Sequence, residues 1–338
     1  MDFFVAAAPL LLAVLLIIVA GQSALRAGAV GLLSACAIVT FFDPFVLGLG
    51  DIVHSLIGGV LTTSTVSYVL LGGVIFYHVL REGGALEVLS TFVLRIIPDR
   101  GHAVLALVFG VSVFFESATG FGVGIIVVAP LFMALGFEPM RAALLALLGQ
   151  CAVPWGALAI GTLLGSDLSG VSAERLGALA VPLGAPYVLA TGVAALYIAK
   201  EWHPIGPRLL LLLVYCATFL ALLWTFNEFV AVELAGCLTG IAVVVLAGMF
   251  GSRSNVADGD CPRVATQSLL RSFAPVALLL FGLLITRLVP GVRRVVEGFA
   301  AISFESFGFT LAPLYHSGFW LLLAALAGIT TFSLSGRL

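Results

Sequence analysis

Apolar positions dominate this chain in runs of about 20 residues, the length a helix needs to cross a hydrocarbon core of about 30 Å. Such runs recur near 3–20, 28–47, 54–80, 142–164, 176–198, 208–226, 229–250, 270–290 and 315–335, and each is predicted to be a membrane-spanning helix. Two segments break the pattern. Residues 85–98, ALEVLSTFVLRIIP, place apolar residues at helical spacing but carry Glu87 and Arg95. They are too short and polar to span, so they predict an amphipathic helix along the interface. Residues 102–136 are two short apolar halves interrupted by FESATGFGVG, in which Glu116 stands beside Ser117, Thr119 and three glycines. A carboxylate and a glycine-rich break are costly in lipid unless they line a polar cavity, so this segment predicts a hairpin of broken helices rather than one crossing.

Composition fixes the solvent. The chain is 62% hydrophobic and only 9% charged, with a mean hydropathy of +1.22, whereas about a quarter charged is usual for a soluble domain. The expected fold class is therefore an all-α integral membrane protein: a polytopic helical transporter bundle with a broken re-entrant hairpin. A net charge of −2 without a basic run gives no footprint for nucleic acid. The five cysteines, at 36, 151, 216, 237 and 261, are scattered without metal-ligand spacing and read as packing thiols. No metal or cofactor is expected. The opening stretch has Asp2 and no basic residue before its apolar run, which favours a first span over a cleaved leader.

Arg and Lys accumulate in cytoplasmic loops. Arg26, the Arg81–Arg95–Arg100 group, Lys200 with Arg208, and Arg253, Arg263 and Arg271 all fall inside if the N-terminus is outside and 102–136 returns as a hairpin. Arg293 and Arg294 fall on the other side and violate the rule. The Asn227/Glu228 turn is placed outside, and Asp167 reads as a solvated turn residue. The longest polar stretch, 251–268, predicts a cytoplasmic loop. The expected organisation is one transmembrane domain over 1–338, with a main helix group at 1–250 and a partial second group at 269–338.

The chemistry lies in two elements. A half-helix starting near Thr119 presents unpaired amides and a partial positive charge, which suit a small carboxylate. Ser117 and Thr119 offer hydroxyls, either to that guest or as helix caps. Gly120 and Gly122 let the backbone approach the guest, with Phe121 between them. Glu116 reads as a proton carrier, because burial favours the neutral carboxyl; the alternative is that it only hydrogen-bonds exposed backbone at the break. In GQCAVPWGALAIG (149–161), Pro154 frees a carbonyl, and Gln150 and Trp155 add polar contacts, so this segment is the candidate facing wall. The alternative there is an ordinary proline-kinked span. His78, near Tyr77, Arg81 and Glu82, reads as an interfacial anchor.

These same residues carry a resemblance. IIPDRGH (96–102) and the run from 114 to 162 resemble the signature region of the L-lactate permease family, bacterial proton-coupled carriers of lactate and glycolate. Glu116, Gly120, Phe121 and Gly122 match its first block and Gly136, Phe137 and Pro139 its second, while Gln150, Pro154, Trp155, Gly156 and Ala157 match its third less closely. Ser117, Thr119, Val123 and Gly124 depart from it, which leaves the identity of the acid open. The resemblance implies proton symport of a small 2-hydroxymonocarboxylate across the bacterial inner membrane. Substrate would lie at Ser117, Thr119, Gly120, Phe121, Gly122, Gln150, Pro154 and Trp155, and the proton at Glu116. Family members are longer, so a truncated, non-transporting remnant or scaffold is the alternative. A membrane-embedded enzyme is disfavoured, since no HExxH, paired Asp or GxSxG pattern is present. FESFGFTLAPL (304–314) faintly echoes the first break and could be a degenerate counterpart.

Overall fold

The computed structural model describes residues 2–97, 99–120, 122–250, 266–307 and 309–334. Phe121 of the expected site, Cys261 and most of the expected cytoplasmic loop (251–265) lie outside the described residues. Among the described residues, eight helices are long and apolar enough to cross a membrane, and three shorter apolar helices accompany them.

The chain divides into two compact units, residues 1–65 with 303–310, and 66–302 with 311–338. In the first, α1 (Asp2–Ile18) and α2 (Ala24–Phe41) pair as a hairpin, with Gly31 admitting the Pro9 carbonyl and Ala13. The start of α3 (Leu49–Glu82) brings His54, whose ring stacks on Phe307 at 4.5 Å and lies 2.8 Å from the Ser306 carbonyl oxygen.

The second unit holds the rest of α3 and then α4 (Ala85–Ile96), which buries Ala85, Leu86 and Leu89 in the core. The segment expected to be broken is α5 (Arg100–Ala106), a π-helical turn (Leu107–Ser112) and α6 (Val113–Thr119), followed by a non-helical link and α7 (Val123–Ala134). Within Arg100–Thr119, 94% of an apolar 18-residue stretch is buried, so this is the centre of the unit and not a lipid-facing span. Around it run α8 (Pro139–Leu148), a 3₁₀ turn (Gly149–Trp155), α9 (Gly156–Ser169), α10 (Ala173–Ala199), α11 (Ile205–Phe229) and α12 (Val232–Phe250). Then come α13 (Thr266–Leu288), α14 (Pro290–Gly298) and α15 (Ser317–Thr331). Between α14 and α15 in sequence lies a two-stranded hairpin of β1 (Ile302–Phe304) and β2 (Phe309–Leu311), most of which, residues 303–310, belongs to the first unit.

Side chains sort as they do in lipid. Leu25, Leu183 and Phe3 are exposed while Ser112, Ser117, Thr239 and Asn227 are buried, the distribution expected when hydrocarbon is the solvent and polar groups find partners only inside. The 304–314 segment does not repeat the helix break: its described residues form strand, 3₁₀ turn and strand. Alternating apolar residues at Ile302, Phe304, Phe309 and Leu311, with Gly308 between the two strands in sequence, suit a hairpin better than a helix.

Close packing in the second unit relies on small residues. Gly236 and Gly240 of α12 form a Gly-x-x-x-Gly pair, the spacing that lets two membrane helices touch through their backbones. Gly240 lies against the Gly110 carbonyl and the Phe114 backbone, and Gly236 against the Ser117 hydroxyl. The α12 helix thus seats directly on the π turn and α6.

Candidate functional site

The α6 helix ends at Gly120 (φ 72°, ψ −166°) and α7 begins after Gly122 (φ 74°), both in backbone conformations that glycine alone adopts without strain. The chain reverses here. Gly124 comes back against the carbonyl and hydroxyl of Ser112, so α7 returns antiparallel to the segment it left. This is the expected interrupted hairpin.

Glu116 is 6% exposed and lies at the break. Its Oε1 accepts a 3.3 Å hydrogen bond from the Gly122 amide, at the positive end of α7, and its Oε2 has no protein partner. The carboxylate itself therefore occupies the helix end expected for an anionic guest. Thr119 does not cap α7, because its hydroxyl donates to the Phe115 carbonyl at 2.6 Å, within its own helix. The Ser117 hydroxyl is fully buried, unpartnered and pressed on Gly236.

The second element is broken more severely than one proline requires. Between the 3₁₀ turn and α9 the backbone runs left-handed at Ala157, Leu158 and Ala159, with φ of 40°, 54° and 61°. Ala157 packs on Gly120, and Gly156 faces Glu116 Oε1, so the two interruptions abut with the carboxyl between them. The Pro154 carbonyl accepts the Thr162 hydroxyl at 2.7 Å. Gln150 Nε2 and Ser112 Oγ, both unpartnered, converge on Gly124. Trp155 stacks its backbone end near Gly236 and donates its indole N–H to Asn227 Oδ1 at 2.9 Å.

A cavity of ≈280 Å³ adjoins this wall, lined by Gln150, Pro154, Trp155, Val181, Tyr187 and Leu223 among others. Four buried polar atoms of these segments lack protein partners: Glu116 Oε2, Ser112 Oγ and Gln150 Nε2, the last two meeting at Gly124, and Ser117 Oγ, which faces Gly236 of α12. Each costs about 1–3 kcal/mol if left dry, and together they suit a small polar guest with both donors and acceptors.

Asn227 was expected in an outside turn; it is 1% exposed and its amide also donates to the Leu223 carbonyl at 2.7 Å. Its position near the end of an apolar run gave no periodic signal, but the GCLTG motif of α12 could have shown which helix closes on the break. Trp155→Phe is expected to cost about 1–3 kcal/mol by stranding the Asn227 carbonyl oxygen. Thermal unfolding in detergent checks this, and an unchanged midpoint would show that the bond does not hold the wall.

At the end of α5 nearer its start, Asp99 pairs with Arg208 at 3.1 Å, and Glu201 meets Arg208 at 3.4 Å and Arg100 at 3.7 Å. Burial works to raise the Asp99 carboxyl, but the His102 amide and Arg208 outweigh it and hold it below its ordinary value. This network borders a ≈450 Å³ cavity with His102 and Tyr215 in its wall.

Comparison with known proteins gives a consistent answer. The family model described as L-lactate permease matches residues 2–328. The L-lactate permease of Halalkalibacterium halodurans is 24% identical over 97% of this chain and 66% of its own length. That of Escherichia coli K12 is 27% identical over 42% of this chain and 26% of its own, and the glycolate permease GlcA of the same organism 28% over 34% and 21%. The chain thus spans about two thirds of the first relative. No solved structure matches.

Proposed function

The chain belongs to the L-lactate permease family, and from that premise we propose that it carries small 2-hydroxymonocarboxylates such as lactate or glycolate together with a proton. It is a permease-type, multi-pass membrane protein. The observation that carries the finer reading is Glu116, buried where the two helix breaks abut, with Oε1 on the Gly122 amide and Oε2 unpartnered.

A hydroxy acid brings one carboxylate and one hydroxyl, and the site offers a partner for each. Protonation of Glu116 weakens its hold on the Gly122 amide at the start of α7, so the guest's carboxylate takes its place there. Anion and proton then move as a neutral load, which avoids the cost of a lone charge in the membrane. Ser117 and Gln150 hydrogen-bond the guest, Gly120 and Gly122 admit it to the backbone, and Pro154 and Trp155 shape the facing wall.

Proteoliposomes holding the full chain are expected to accumulate labelled L-lactate or glycolate when the outside is acidic, and to lose that accumulation when a protonophore collapses the gradient. Equal uptake with and without the gradient would remove the coupling, and failure of either acid to enter would remove the substrate class.

A further inference from the structure

A second carboxylate-sized site is built at the far end of α13. Arg287, in the last turn of that helix, has a side chain only 7% exposed. Its Nε lies 2.9 Å from Glu233 Oε1 of α12, itself 10% exposed, though the N–H direction misses a true hydrogen bond, and Nη1 is buried without any acceptor. A guanidinium carries five donors in a planar fork, so this one is far from saturated.

The neighbouring groups leave that donor uncovered. The Tyr315 ring covers the guanidinium face at 3.5 Å, and Arg293 lies 5.6 Å from the same ring. Arg293 is itself held by Glu297 at 2.7 Å, and Arg294 of the same short helix reaches only the Pro290 carbonyl. His316, at the N-cap of α15, has an Nδ1 without a partner. Glu174 also acts on Arg293 through its charge. What distinguishes Arg287 is therefore not an excess of positive charge but a buried donor, Nη1, that none of these carboxylates reaches.

We infer that Arg287 is a docking point for a carboxylate anion, at present covered by Tyr315 and partly filled by Glu233 as an internal stand-in. A guest carboxylate takes the Nη1 edge and competes with Glu233 for the fork. Planar, two-oxygen anions are the class the fork selects. Glu233 and Gly236 are one turn apart on α12, and Gly236 touches Ser117, so this point stands about a helical turn from the site proposed above. The inference rests on the carrier reading only in making the transported acid the natural guest.

The test is calorimetric titration of the purified full chain with L-lactate and, separately, with acetate. Arg287→Gln is expected to weaken binding at one class of sites at least tenfold, whereas Glu233→Gln, by removing the internal competitor, is expected to tighten it several-fold. Because Arg287→Gln strands Glu233, the double variant Arg287→Gln/Glu233→Gln, which buries no charge, serves as the folding control and is expected to lack that class. A purely structural ion pair predicts instead that both single variants shift affinity alike or not at all, and that result overturns the inference. Acetate binding lost in Arg287→Gln without any binding of lactate or glycolate supports this site and removes the hydroxy-acid reading. Lactate binding untouched by all three variants removes this site and leaves that reading standing, while a wild-type chain that binds no carboxylate removes both.

Discussion

Gly240→Ala is expected to prevent the folded protein from accumulating. A methyl group there would sit 2.7 Å from both the Gly110 carbonyl oxygen and the Phe114 amide nitrogen, and 2.8 Å from the Phe114 Cβ. Two of these neighbours are backbone in a fully buried segment, so no side chain can swing aside. Overpacking usually costs about 1–3 kcal/mol and occasionally more, and backbone against backbone belongs at or above the top of that range. Gly59→Ala is the control, because nothing lies within 4 Å of its added methyl; in a helix interior it should stabilise by up to about 1 kcal/mol. Detergent-extracted yield and thermal midpoint read both. A Gly240→Ala protein that melts within a degree or two of wild type would show that α12 does not depend on this contact.

Glu116→Gln is expected to abolish proton-driven accumulation while leaving the fold intact. The amide oxygen of glutamine can still accept the Gly122 N–H that now holds Oε1 at 3.3 Å, so the break keeps its geometry, but the side chain can no longer carry a proton. Net uptake against a gradient should fall roughly a hundredfold, equivalent to about 2.7 kcal/mol in a barrier. Exchange of labelled for unlabelled acid at equal concentrations should survive, since it needs binding and passage but no proton movement. Accumulation by Glu116→Gln at the wild-type level would remove this residue from the coupling, whatever the substrate.

What the sequence disclosed was what local physics determines. Apolar run length located the long helices, and glycine beside a carboxylate located the hairpin break at 120–122. Pro154 marked the second disturbed segment but did not reveal its severity, because Ala157, Leu158 and Ala159 are ordinary helix formers whose left-handed turn is imposed by Gly120 and Glu116 packed against them. Pairings remote in sequence were also hidden. Glu233 and Arg287 sit near the ends of two apolar runs, and nothing local in either run signals that they pair. Asn227 resembled a turn residue until Trp155, far away in the chain, turned out to be its partner. The strands at 302–311 are hidden by local likeness, because FESFGF echoes the break motif while its apolar residues follow a period of two.

The reversed turn at 157–159 is held against the preference of its own residues. Left-handed backbone costs roughly 1–2 kcal/mol per non-glycine residue, so three in succession hold about 3–6 kcal/mol of tension at the point where the two interrupted helices touch. The turn persists only because its surroundings offset that cost, and the contacts of Gly120 with Ala157 and of Glu116 with Gly156 are where the offset is made.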